Sequence, residues 1–138
     1  MRHLKQTRYT NCGQTVVAMI TGRPIAEVEE LMGTQGCTST WQLRCILIEC
    51  GFATGPTERI PRSRPWEWFS DRRSLLLFVR HGPKEVARES NHWSLWDGAK
   101  QRVLDPALPK SVSSRTFRAA VERLGGQVTS VVAVRRGP

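Results

Sequence analysis

The stretch His92-Trp93-Ser94-Leu95-Trp96-Asp97-Gly98-Ala99-Lys100-Gln101-Arg102-Val103-Leu104-Asp105 reads as two strand-like arms, His92 to Trp96 and Arg102 to Asp105, around a turn that Asp97-Gly98 favours. In paired antiparallel strands, residues near the open ends of the arms lie opposite or diagonal to each other, within side-chain reach. His92 begins one arm and Asp105 finishes the other. The carboxylate can therefore accept from one ring nitrogen and leave the second for another group.

Working outward, Leu75 to Val79 is a short apolar run that reads as a buried strand, ending at Arg80-His81-Gly82-Pro83. After Asp105-Pro106 and a connection bearing Pro and Ser, Ser114 through Leu124 reads as a helix closed by Gly125-Gly126. Val128 to Val134 is a strand by its valine content. Ala53 to Arg73, broken by Pro56, Pro61 and Pro65, reads as a loop over the core. Its Trp66, Trp68 and Phe69 are either a substrate-binding wall or pins that hold the loop to the core, and the second role is the commoner one.

Upstream, Val16, Val17 and Ile20 make an apolar stripe on a helix from about Cys12 to Thr21, with Gly22 just past its end. Pro24 suits a first helical position, and Ile25, Val28, Leu31 and Met32 recur at helical spacing until Gly33. Thr38, Ser39 and Thr40 offer N-caps for a third helix with Leu43, Ile46, Leu47 and Cys50, terminated by Gly51. Helices first and a sheet after describe an α+β domain whose reactive centre lies at the junction.

The first helix brings a candidate nucleophile to that junction. In Gln6-Thr7-Arg8-Tyr9-Thr10-Asn11-Cys12-Gly13-Gln14, a cysteine stands at a helix mouth with a side-chain amide six residues before it. A cysteine in that place is, by itself, more often a small buried hydrophobe. A thiol acts as a nucleophile only when ionised, and a helix N-terminus together with an imidazolium lowers its pKa. His92 supplies the ring and Asp105 orients it, giving nucleophile, base and orienter in one relay. Gly13 removes a Cβ where a substrate carbonyl must approach. Gln6 is placed to donate to the developing oxyanion beside the N–H of Cys12. His81 is the competing base, but Gly82-Pro83 follows it and no acid stands in an equivalent position; His3 reads as an exposed terminal residue.

The chain has 138 residues, enough for a core of its own, and 1–138 is read as a single domain. No charged-then-apolar leader opens it and no apolar run approaches the ~18–20 residues that span a bilayer, so a cytoplasmic protein with no membrane partner is expected. The cysteines at 12, 37, 45 and 50 lack paired C-x-x-C spacing; free thiols, no metal and no cofactor are expected. The net charge of +9, from 21 Lys and Arg against 12 Asp and Glu, raises nucleic acid or an acidic protein surface as a partner. The arginines are scattered in small groups, at Arg59–Arg64, Arg72–Arg73 and Arg135–Arg136, without a nucleic-acid-binding motif. A solvated basic surface accounts for them more simply.

Gln6 followed six positions on by Cys12-Gly13, His92-Trp93 opening a strand, a hairpin, and Asp105-Pro106 closing it resemble the papain-like cysteine peptidases. The chain is most similar to the bacterial branch that cuts export leader peptides after a double glycine, together with its stand-alone relatives. The resemblance runs from Gln6 to Asp105 and on through the final strand. It implies a papain-like fold with N-terminal helices packed against a C-terminal antiparallel sheet, and a protein or peptide substrate. It further implies Cys12 as nucleophile, His92 as general base and acid, Asp105 as orienter, Gln6 as oxyanion donor, and Gly13 and Trp93 at the substrate. Two function classes follow: a thiol hydrolase acting on a peptide or isopeptide bond, and a non-catalytic binding module that uses its basic surface on nucleic acid or an acidic protein. A pure binder has no need of all four polar residues.

Overall fold

The computed structural model describes residues 1–80 and 91–137. In chain order the elements are α1 (Cys12–Thr21), α2 (Ile25–Met32), α3 (Thr40–Glu49), β1 (Phe52–Arg59), a 3₁₀ turn (Glu67–Ser70), β2 (Ser74–Arg80), β3 (Asn91–Asp97), β4 (Arg102–Leu104), α4 (Ser114–Arg123) and β5 (Gln127–Arg136). The described strands form one sheet in the order β1-β5-β2-β3-β4, each neighbour pair antiparallel. The expected α+β arrangement, N-terminal helices against an antiparallel sheet, is the observed one.

The helix boundaries follow local chemistry. Gly22 and Gly33 close α1 and α2 in the left-handed conformation, at φ of 76° and 70°. Of the three candidate caps for α3, Ser39 is the one used: its hydroxyl accepts from the Gln42 N–H, and Gln42 Oε1 accepts from the Ser39 N–H, a reciprocal capping box. The Ser113 hydroxyl caps α4 by accepting from the Thr116 N–H, without the reciprocal bond.

Both faces of the sheet are covered. On one, Leu76, Trp93, Leu95, Leu104, Val132 and Val134 pack against Val16, Val17, Met19, Leu43 and Leu47 of α1 and α3. On the other, Leu75, Leu77, Val79, Trp96 and Val131 pack against Phe117 and Val121 of α4 and against Trp68. A strand buried on both faces has no polar side to show, which is why Leu75 to Val79 is an unbroken apolar run. α1 is likewise buried from Cys12 to Ile20.

One element departs from expectation. Residues 52–59 form β1 rather than part of a loop. Gly55-Pro56 breaks the strand pattern in sequence, but β1 lies at the sheet edge and its register with β5 shifts between Thr54 and Thr57, so the missing N–H of Pro56 costs no ladder bond. The aromatic cluster serves as a pin: Trp68 is buried, with its ring centroid 5.4 Å from that of Trp96 and 6.1 Å from that of Phe117.

The hairpin turn is held from outside. The Trp96 indole N–H donates to the Asp71 carbonyl at 2.8 Å, and a Cβ at Gly98 would collide with the backbone of Arg72 and Arg73. Close approach, rather than an unusual φ, thus demands glycine there. Gly98→Ala should lower stability by roughly 1–3 kcal/mol in chemical denaturation. An unchanged midpoint would show that the 71–73 segment does not clamp the turn.

Candidate active site

Cys12 is the first residue of α1 and is 7% exposed. The residue before it, Asn11, is fully buried but does not cap the helix with its side chain. Its Oδ1 accepts from the Arg8 N–H at 3.1 Å and its Nδ2 donates to Thr7 Oγ1 at 2.8 Å, bracing the loop that carries Gln6. The first-turn amides of α1 are left to act on the thiol. The N–H of Gly13 and that of Trp93 both donate to Cys12 Sγ, the latter at 3.5 Å across 81 positions of sequence.

The hairpin delivers the other two groups. Leu95 pairs with Leu104, so one further step along the register puts Asp105 opposite Ser94 and diagonal to His92. His92 Nε2 donates to Asp105 Oδ1 at 2.6 Å, with side-chain exposures of 13% and 12%. The same carboxylate oxygen accepts from the Ala107 N–H at 2.9 Å. Nδ1 remains as the ring nitrogen for Cys12, with which His92 also shares a side-chain hydrogen bond.

Burial alone would keep all three groups neutral. For Cys12 it pushes the thiol up, yet the hydrogen bond and charge of His92, helped by the Trp93 and Gly13 amides, bring the pKa below its ordinary 9.0. For His92 burial pulls down, while Asp105 and Cys12 together raise the ring from 6.5 to about 10. Asp105, also opposed by burial, is held below 3.8 by His92. The arrangement favours thiolate, imidazolium and carboxylate in a row.

The remaining expected residues divide. Gln6 lines the same cleft as Cys12, but its NH2 donates to the carbonyls of Arg8 at 2.8 Å and Tyr9 at 3.1 Å, and its Oε1 is buried without a partner among the described residues. The space beside Gly13 is taken by Thr38, whose hydroxyl a Cβ would strike, so the glycine serves packing between α1 and the segment before α3. Trp93 is 3% exposed, its indole N–H spent on the Thr38 carbonyl at 3.1 Å; only its backbone N–H reaches the site. His3 departs from the exposed-terminus reading, because its Nε2 donates to the Asp105 carbonyl at 2.9 Å. With the Gln6 N–H on the Pro106 carbonyl at 2.8 Å, it ties the N-terminal segment to the loop holding Asp105. Nothing in sequence pairs positions 102 apart. His81 lies outside the described residues.

Cys12, His92, Asp105 and Gln6 line one cleft of about 540 Å³, walled opposite by Leu108, Phe117, Ala120, Val121 and Leu124. A somewhat larger cleft of about 620 Å³ lies beyond the C-terminal end of α1. Titratable groups with displaced pKa values, rather than size, single out the first. Among the described residues no group of His, Cys, Asp and Glu is placed to hold a metal ion, and no helix is long and apolar enough to cross a membrane.

The solved structures similar along almost the whole chain include the following two. One is the peptidase domain of Streptococcus ComA, a bifunctional ABC transporter involved in a quorum-sensing pathway, at a TM-score of 0.67 and 15% identity over 99% of this chain and 98% of that one. The other is a double-glycine-motif protease from an AMS/PCAT transporter, in complex with the leader peptide, at 0.63 and 13% over 97% and 90%. The fold is that of a papain-like peptidase domain. No protein-family model and no curated protein matches the sequence.

The displaced pKa values of Asp105 and His92 set a pH window. Because Asp105 is lowered in the folded chain, its contribution to stability is present above 3.8 and is lost as pH falls through its folded value. Because His92 is raised, its contribution is fully present below 6.5 and is lost as pH rises toward about 10. The stability difference between wild type and Asp105→Asn should therefore be greatest at mildly acid to neutral pH and shrink at both extremes. A difference independent of pH would mean that the pair is not ionised.

Proposed function

We propose that the chain is a cysteine peptidase hydrolysing a peptide or isopeptide bond. The observation that carries this reading is the unbroken link Cys12–His92–Asp105, with the thiol lowered and the ring raised. The thiolate of Cys12 attacks the scissile carbonyl, forming the C–S bond and a tetrahedral oxyanion. Collapse breaks the C–N bond as His92 gives its proton to the leaving amine. Water then attacks the thioester, His92 takes the water proton, and the C–S bond breaks to release acid and thiolate. Asp105 holds the ring with Nδ1 toward sulfur throughout.

The oxyanion falls to the Cys12 backbone N–H and to Gln6. In the resting arrangement both amide protons of Gln6 are engaged by the carbonyls of Arg8 and Tyr9, so this role requires the side chain to swing toward Cys12. Its buried, unpartnered Oε1 makes the resting position a costly one, by about 1–3 kcal/mol for such an oxygen. The likeness to a double-glycine-motif protease solved with its leader peptide supports a peptide substrate with small residues before the cut.

Cys12→Ala and His92→Ala should each lower amide hydrolysis by several orders of magnitude while the chain stays folded. Gln6→Ala should cost ~10²–10³ in rate yet leave Cys12 reactive toward iodoacetamide. Steady-state assays and alkylation followed by mass spectrometry check both. Full activity in His92→Ala, or equal loss of alkylation and turnover in Gln6→Ala, would contradict these assignments. A peptide library should show Gly or another small residue immediately before the cut; a preference for large aromatic or basic residues there would separate the protein from the double-glycine type. Salt-sensitive nucleic-acid binding that persists in Cys12→Ala, without hydrolysis in wild type, would instead support the binding-module reading.

A further inference from the structure

A third cleft, of about 600 Å³, lies across the sheet from α4 and is lined by Arg59, Arg62 and Arg80 together with the hydroxyl-bearing Thr40, Thr129 and Ser130. Among the described residues no acidic side chain lines it and none of the three arginines pairs with a carboxylate. The Nε of Arg80 is withdrawn from solvent without a hydrogen-bond partner there. Three guanidinium groups gathered at one concavity repel one another, and an incoming anion relieves that repulsion.

Strand register joins this cleft to the candidate active site. Arg59 on β1 pairs with Ser130 on β5, Ser130 with Phe78 on β2, and Phe78 with Trp93 on β3. The Phe78 and Trp93 rings lie 5.0 Å apart, and the Trp93 N–H is the one that reaches Cys12 Sγ. Two residues further along, Arg80 pairs with Asn91, which lines the Cys12 cleft, and with Gln127, which lines the basic one. Neighbouring strands are ~4.8 Å apart, so an extended chain passing over this end of the sheet can touch both clefts.

We propose that the basic cleft binds acidic side chains of the peptide substrate on the flank of the scissile bond that passes over β2 toward β1. This rests on the peptidase reading. Arginine forks and hydroxyls match carboxylates in bidentate geometry. A nucleic-acid strand is the poorer fit, because base stacking needs an open ring face and Phe78, the aromatic in the lining, is half-buried against Trp93.

The test has two arms. Fluorescein-labelled hexaglutamate should bind Cys12→Ala protein in anisotropy titrations. The affinity should fall with added salt and fall roughly 10-fold or more in each of Arg59→Ala, Arg62→Ala and Arg80→Gln. In wild type, peptides carrying Glu on that flank of a Gly-Gly cut should be hydrolysed with kcat/KM at least about 10-fold above the same peptides carrying Lys. That ratio should approach one in an Arg59→Ala, Arg80→Gln double variant whose Cys12 alkylates at the wild-type rate. Arginine-dependent hexaglutamate binding without cleavage of either peptide would sustain the anion site while removing the peptidase reading beneath it. Cleavage indifferent to Glu or Lys on both flanks would overturn the proposal, as would a single-stranded oligonucleotide that binds through these arginines where hexaglutamate does not.

Discussion

The docking of the α1 N-terminus on the first residues of β3 is the contact on which the rest depends. It places the sulfur of a cysteine that is 7% exposed against two backbone N–H groups and an imidazole. A thiolate in such a place is costly unless paired, and removing one member of a buried charged set strands the others. Asp105 continues the alternation of sign, so the buried charges are neighbours rather than isolated ions. The surrounding structure reads as support: Asn11 braces the loop before α1, Ala107 and His3 fix the chain around Asp105, and Trp93 fills the gap between β3 and the segment before α3.

Much of this was legible in the chain because the signals are local. The closing glycines of α1 and α2, the cap at Ser39, the apolar run of β2 and the two arms of the hairpin are each written within a few residues. Cys12, His92 and Asp105 could be named for the same reason, since each stands at an element end that its neighbours mark. What escaped was non-local. β1 hides behind Gly55-Pro56 because a broken pattern is permitted at a sheet edge. The missing Cβ of Gly13 and the family resemblance point Gly13 and Trp93 toward substrate, whereas their surroundings are Thr38 and the core. His3 meets Asp105 only because the N-terminal segment folds back over the hairpin.

The net charge of +9 also acquires a distribution. Several arginines are tied to carboxylates, as in Arg8 with Glu29, Arg23 with Glu27 and Arg118 with Glu122. The two exposed on both sides, Arg23–Glu27 and Arg118–Glu122, add little stability. Arg59, Arg62 and Arg80 stand apart from them in one cleft, beside the strand end that meets the Cys12 site. Apolar residues of α4 border the site on one face of the sheet, and these arginines lie near it on the other.

The central claim is that His92 is an imidazolium held between the Asp105 carboxylate and the Cys12 thiolate. NMR titration of the His92 ring in wild type and in Cys12→Ala tests this directly. The ring should stay protonated well above pH 6.5, toward about 10, in wild type, and should lose its proton at lower pH once the sulfur is gone. A wild-type midpoint near 6.5, or one that the loss of Cys12 leaves in place, would contradict the ion pair and the account built on it.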